Sequence, residues 1–399
     1  MNVCKSHAFA LIHTFEGRDP TKVIEELQEF GLTGLNLALN YHASRDFLLR
    51  QGPRLEYLKD GFNYYLPNIS YYPESGLRPT LNSSYKSSEI LDSIILKSSQ
   101  LNFKISAWGV FLHNGELGAA FPDCVVENSL GNKFLSELCP SNPRVRDYCR
   151  GLAEDLISRG IDSLAIESLH FHGARHGEHH ERFFLEMSQI TEFLFSLCFC
   201  ASCLHNFEKI SGDGAELKSK VTAALDDFLN DQDSWLGQDL TKDILAEICG
   251  PEIITYLQVR EETVSSLYKE LSEIAHSYGV MTRIIDQTPL LDITNSEPLN
   301  QSWILGINAE EVRKYIDIYE PLDYRVESNT VKRVAANYVE ILGGRIVPIL
   351  RPTFPDNLSQ SNLISKVHGL RELGIDEIDF YLLDTMRQRD LTWIKAALN

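Results

Sequence analysis

The chain has 399 residues, 43% of them hydrophobic, enough to bury a large core as one α/β barrel or as two to three smaller domains. A formal net charge of −19 makes nucleic acid and anionic membrane poor partners, because both repel an acidic surface. No apolar run reaches the roughly 18 to 20 residues of a membrane span, and MNVCKSHAFALIHTF lacks a basic segment ahead of a long apolar one, so a cytoplasmic protein is expected.

Eight short β-type runs follow one another along the chain: 7–13, 33–39, 103–110, 162–167, 279–286, 322–326, 345–350 and 376–383. Amphipathic segments at 20–31, 143–160, 259–279, 330–344 and 362–374 lie between them, each apolar at helical spacing and most ending at glycine. Strands alternating with helices imply right-handed parallel crossovers. Eight such units predict an α/β fold, a (β/α)8 TIM barrel, in preference to an open doubly wound sheet. After the first run comes TFEGRDP with a single glycine, which argues against a dinucleotide-binding turn.

Two connections are too long for simple βα loops and predict insertions after strands two and four. The first, 40–90, is rich in Tyr and Pro (62-FNYYLPNISYYPES-75), which suits either sugar stacking or a small local core. The second, 168–258, is expected to form a helical and loop subdomain over the barrel mouth. Its acidic stretch 223–247 reads as a solvated helical face.

Barrel enzymes work at the C-terminal ends of their strands, so the residues there are the candidates for chemistry. Asn40, Tyr41 and His42 follow strand two; Trp108, His113 and Asn114 follow strand three; Glu167, His170 and His172 follow strand four. Arg283 and Asp286 come from strand five, Tyr324 and Glu327 from strand six, Arg351 from strand seven, Tyr381 and Asp384 from strand eight. This polar, aromatic and carboxylate-rich ring fits a small carbohydrate or glycoside substrate. Glu167, after an apolar strand, is the expected general acid. His170 and His172 alternate along an extended segment and point one way. The stretch 176-HGEHHER-182 lacks the His-Glu-x-x-His of zinc peptidases, and hydrogen bonding is its commoner role.

The segment 196-SLCFCASCLHNF-207 carries Cys198, Cys200 and Cys203 in the spacing Cys-x-Cys-x2-Cys. A tight turn there gathers three thiolates around one centre, a metal needs a fourth ligand, and buried free cysteines remain the alternative. With no sign of an oxidising compartment, metal binding is favoured over disulfides.

The order 138-LCPSNPRVRDYCRGLAEDLI-157, a strand ending in Glu167, then 198-CFCASC-203 resembles the family 42 β-galactosidase type of glycoside hydrolase, over residues 103–207. The resemblance implies a structural zinc ion held by Cys139, Cys198, Cys200 and Cys203, with Glu167 as acid/base. Ile166 stands where the family carries Asn, and 345-RIVPILRPTFPD-356 offers no glutamate where the family carries its nucleophile. A second carboxylate must then come from Asp286, Glu327 or Asp384. The same carboxylates would also suit a divalent-metal sugar isomerase or epimerase, and a non-catalytic saccharide-binding barrel is the third reading. A homo-oligomer is left open.

Overall fold

The computed structural model describes residues 5–399 apart from 51, 74–75, 86, 176–180, 211, 231 and 292–296. Six parallel strands, β1 (His7–Leu11), β2 (Gly34–Tyr41), β3 (Lys104–Val110), β4 (Ser163–Glu167), β5 (Met281–Asp286) and β6 (Ile318–Pro321), pair in sequence order. The seventh, β7, is split into Arg345–Ile346 and Ile349–Leu350, and β8 (Asp379–Phe380) returns to β1 at Ala8. The first half of β7 pairs with β6 and the second with β8, which closes the barrel. Pro348, lacking an N–H, sits at the break.

Seven of the eight strand–helix units end in a helix of eight residues or more: α1 (Pro20–Glu29), α2 (Glu89–Gln100), α3 (Pro143–Ile157), α4 (Glu252–Ser277), α6 (Ser328–Leu342), α7 (Gln360–Arg371) and α8 (Gln388–Leu398). The fifth unit has an eight-residue 3-10 helix (Pro298–Leu305) and then the single turn α5 (Ala309–Val312). Local chemistry starts the helices where the sequence places them. Asp19 accepts from the Thr21 amide at 3.0 Å ahead of Pro20, and Asn142 accepts from Arg144 at 2.9 Å ahead of Pro143.

The first five strands lie within about two residues of their expected positions. The sixth does not: 322–326 was expected, whereas the strand is Ile318–Pro321. Glu320 and Pro321 look like strand breakers, yet Glu320 turns into the barrel and finds Arg283 there. The eighth strand keeps only two ladder residues of the expected 376–383.

Both long connections are present. After β2 a hairpin (Ser44–Leu48 with Arg54–Leu58) is tied to the mouth by the Leu49 amide on the Asp384 carbonyl, 2.8 Å. The tyrosines that follow build a local core: Tyr64 meets His13 and Tyr85, Tyr65 lies under Arg159, and Tyr72 meets Tyr148. After β3 comes a hairpin of Val125–Glu127 with Lys133–Leu138. After β4 the chain forms helices at Gln189–Ser196, Ala201–Glu208, Gly214–Asn230 and Lys242–Cys249 before entering α4. The acidic stretch 223–247 is therefore two helices with a break, not one face. Among the described residues no single helix is long and apolar enough to cross a membrane.

Candidate active site and cysteine cluster

Strand parity decides which side chains enter the barrel. On β4, Ser163 and Glu167 point inward; on β5, Arg283 and the following Gln287 do. Glu167, 8% exposed, accepts from Trp108 Nε1 at 2.5 Å and from Gln287 Nε2 at 3.0 Å. Ser168 adopts a left-handed backbone (φ 56°) directly behind it, an unfavourable conformation for a residue with a Cβ. That turn ends the strand at the carboxylate.

Rings surround this carboxylate. Trp108 meets Phe9 at 5.0 Å, Tyr41 at 4.7 Å and Tyr381 at 5.9 Å, and the Tyr41 and Tyr381 hydroxyls are 3.0 Å apart. Tyr41 reaches the interior because a register shift in β2 between Ala38 and Asn40 exchanges the faces. Asn40 bonds Asn63 instead. Burial, the facing hydroxyl, Glu167 and Asp46 together push the Tyr41 hydroxyl far above its usual range. Burial also pushes Tyr381 up, and Glu167 and Asp46 add to it. Asp46 lies on the hairpin after β2, where it accepts from the Ser44 hydroxyl at 2.7 Å. Tyr324 stacks beside Tyr381 at 5.8 Å, with the Arg351 guanidinium 4.0 Å over its ring and 2.5 Å from Asp356.

A row of imidazoles leads away from the rings. His42 stacks on Tyr41 at 4.1 Å; His42 to His113 is 5.5 Å, His113 to His172 is 6.2 Å and His172 to His170 is 4.4 Å. Glu137, buried on the hairpin after β3, lies 3.9 Å from His113 and 3.7 Å from His172. His176, His179 and His180 lie outside the described residues.

Other expected site residues are placed elsewhere. Asp286 is three residues from Arg283 and so faces the opposite side, where it holds Thr288 and the Tyr338 hydroxyl of α6; burial raises its pKa. Asp384 accepts from the Leu11 amide and the Thr14 hydroxyl, both at 2.7 Å, and burial raises it too. Glu327 is exposed at the start of α6. Asn114 caps the helix Gly115–Ala120 through the Leu117 amide. Arg283 lies deep in the barrel, ion-paired to Glu320, Asp379 and Glu377. Gln287, Asp46 and Glu137 carry no sequence motif. Counting by two from Arg283 finds Gln287; nothing local singles out the other two.

Cys139, Cys198, Cys200 and Cys203 are buried, with their sulfurs all within 4.8 Å of one another. Cys139 is 3.5 Å from Cys203 and from Cys200, and 3.8 Å from Cys198. A tetrahedron with metal–sulfur bonds of about 2.3 Å has edges of about 3.8 Å, so four thiolates here fit one ion. Among the described cysteines none is in a disulfide. Hydrogen bonds from the other three thiols hold Cys200 far below the usual thiol range, while burial pushes Cys139 above it. Cys139 ends the hairpin strand, and the Cys198–Cys200 segment joins the same hairpin through the Phe199 amide on the Glu127 carbonyl, 2.6 Å. Tyr256 of α4 donates to the Cys198 carbonyl. The cluster therefore ties three elements together.

Fold and mouth define a (β/α)8 barrel with a carboxylate among rings at the C-terminal ends of its strands. Solved structures agree on the fold. A β-galactosidase from the Antarctic haloarchaeon Halorubrum lacusprofundi superposes with a TM-score of 0.61 at 10% identity, covering 99% of this chain and 57% of that one. A β-galactosidase from the psychrophilic Marinomonas ef1 gives 0.60 at 9% identity, covering 99% and 59%. The catalytic domain of β-amylase from Paenibacillus polymyxa gives 0.55 at 9% identity, covering 98% and 97%. This chain thus spans under three fifths of the length of those two β-galactosidases. No protein-family model and no curated sequence matches it.

Proposed function

We propose that the chain is a glycosidase-like hydrolase acting on a small saccharide or glycoside. The observation that carries this reading is Glu167 itself: one carboxylate at a barrel strand end, held by two neutral donors and walled by Trp108, Tyr41 and Tyr381. Aromatic walls cover the apolar faces of a sugar, and a carboxyl group on that surface can protonate the glycosidic oxygen as its bond to the anomeric carbon breaks. Asp286 and Asp384 hold backbone and hydroxyl donors and Glu327 stands outside; Asp46, on the hairpin tied to the mouth at Leu49, would be the partner carboxylate once it leaves the Ser44 hydroxyl. It would attack the anomeric carbon or take a proton from water. His42, partly exposed beside Tyr41, would offer a hydrogen bond to a sugar hydroxyl. The reading is supported by neighbours of the same fold whose names describe enzymes acting on carbohydrate.

The cysteine quartet would hold a structural zinc ion, whose chemistry is to cross-link the mouth rather than to react. Among the described residues it is the single group of metal ligands that converges, which weighs against a divalent-metal isomerase built on Glu167, Asp286, Glu327 and Asp384.

A screen of aryl glycosides and short oligosaccharides tests the proposal. Glu167→Gln keeps the hydrogen-bonding shape but has no carboxylic proton, so turnover of substrates with poor leaving groups should fall on the order of 100-fold. Unchanged turnover removes Glu167 as the acid. Sugar binding without any turnover by the native chain identifies a binding protein instead.

A further inference from the structure

The hairpin after β2 has two unlike faces. Arg45, Phe47, Leu55 and Tyr57 are exposed on one, while Ser44, Asp46, Arg54 and Glu56 make the less exposed other. Against this second face lies a cavity of about 310 Å³, lined among others by His13, Glu16, Glu56, Tyr64, Asn82 and Tyr85. Three of these are rings in mutual edge contact: Tyr64 to Tyr85 at 5.3 Å, His13 to Tyr64 at 5.7 Å and His13 to Tyr85 at 6.4 Å. In bulk liquid the volume corresponds to about ten water molecules, room for one sugar ring and a few waters. The cavity adjoins the ring cage of the mouth. Phe62, on its wall, is the antiparallel ladder partner of Tyr41, and the Tyr64 amide donates to the Leu39 carbonyl of β2 at 2.9 Å.

The polar groups of this cavity leave places for hydroxyls. Arg54 donates to Glu16 at 2.9 Å and to Glu56 at 3.0 Å, and Tyr85 donates to the other Glu16 oxygen at 2.7 Å. Glu56 spends only Oε2 on Arg54 and is 28% exposed, so Oε1 is left for a donor. The ring of Tyr64 is buried, but its hydroxyl is not sealed and makes no hydrogen bond among the described residues. Burial, then Glu56 and Asp46, push that hydroxyl above its usual range, so it stays a donor. The carboxylates of Glu16 and Glu56 stand against Arg54 and Lys59, which leaves the cavity close to neutral. A further ion finds no opposite charge waiting there, whereas hydroxyls find a carboxylate oxygen, a phenol and the Asn82 amide.

We propose that this cavity is a distal subsite, holding one neutral hexose unit of an oligosaccharide whose reacting end lies at Glu167. Its hydroxyls would donate to Glu56 Oε1 and accept from Tyr64, over a floor made by the Tyr64, Tyr85 and His13 rings. The assignment rests on the carbohydrate reading above and deepens it, because it makes the substrate a chain of several sugar units.

Calorimetry on the full chain with α- and β-linked gluco-, galacto- and manno-oligosaccharides of one to four units tests it. In at least one series affinity should rise about tenfold or more with chain length, as for a pair of added hydrogen bonds. Ser84→Trp fills the cavity from an exposed position on its wall and should remove that rise, leaving the binding of a single unit unchanged. Tyr64→Phe deletes one donor and should weaken the longest member of the series about fivefold. Affinities that stay flat with length in every series, absent binding included, or a rise that survives Ser84→Trp, overturn the proposal. Turnover of the same sugars and of aryl glycosides is measured in parallel. Turnover with flat affinities removes the subsite and leaves the hydrolase; Ser84→Trp-sensitive length selectivity without turnover removes the hydrolase and leaves a saccharide-binding cavity.

Discussion

At the N-terminal end of the barrel Arg283 is enclosed with Glu320, Asp379 and Glu377, and Arg345 adds a second guanidinium from β7. At the C-terminal mouth Glu167 meets only neutral donors, Trp108 and Gln287. Both ends are polar, but their charge is handled differently. Below, every ion has an opposite ion in contact. Burial pulls Arg283 down, yet Glu320 and Asp379 outweigh it and hold it above the usual range; burial pushes Glu320 up to about 8. Above, the carboxylate is held by neutral donors alone. The contrast teaches that a buried charge next to its counter-ion secures the fold, whereas a charge held by neutral dipoles can do chemistry.

The largest effect should come from cutting the lower cluster. Arg283→Met strands buried carboxylates, and the expected cost is about 3–5 kcal/mol, measured by chemical denaturation. A loss below 1 kcal/mol would show that the two ends do not differ as described. Stripping the cysteine quartet with a chelator, or replacing Cys198 by Ser, should lower the melting temperature by roughly 5 °C or more. Metal analysis of native protein should find about one zinc per chain; folded protein without metal would contradict the assignment.

Acid should affect the lower end first. Burial and then Arg283 lower the His7 pKa to about 3 from 6.5. The unfolded chain therefore binds a proton between those values that the native chain refuses, and stability is lost as pH falls from 6.5 toward 3, by up to a few kcal/mol. Glu320 acts in the opposite direction: its raised pKa favours the native state below about 4.5, and that contribution is lost as pH rises toward 8. His7→Gln should flatten the acid limb of a pH–stability profile and Glu320→Gln the neutral-to-alkaline limb; unchanged limbs would contradict the burial argument. The smallest effect belongs to the mouth. Trp108→Phe keeps the ring contacts but removes the donor to Glu167, so turnover should fall about tenfold with little change in stability. A comparable loss of stability would make Trp108 part of the scaffold.

Much of this was legible in the chain. Apolar runs at period two and 3.6 place the first five strands and the major helices, because local pattern and burial agree there. Asn142–Pro143 and Asp19–Pro20 mark helix starts by capping chemistry that is local in sequence. Glu167 stands out as a carboxylate closing a largely apolar strand. What stayed hidden depends on contacts between distant segments. Arg283 and Asp286 look like neighbours in sequence, but the strand sends one into the barrel and the other out to Tyr338. The shift in β2 that exchanges Asn40 for Tyr41 has no local signature. Sequence alone determined the parts, the barrel pattern and the three clustered cysteines. Only the tertiary structure decided that Tyr41 rather than Asn40 enters the barrel and that Trp108 and Gln287 both donate to Glu167, because each contact joins segments 59 or more residues apart that no local pattern relates.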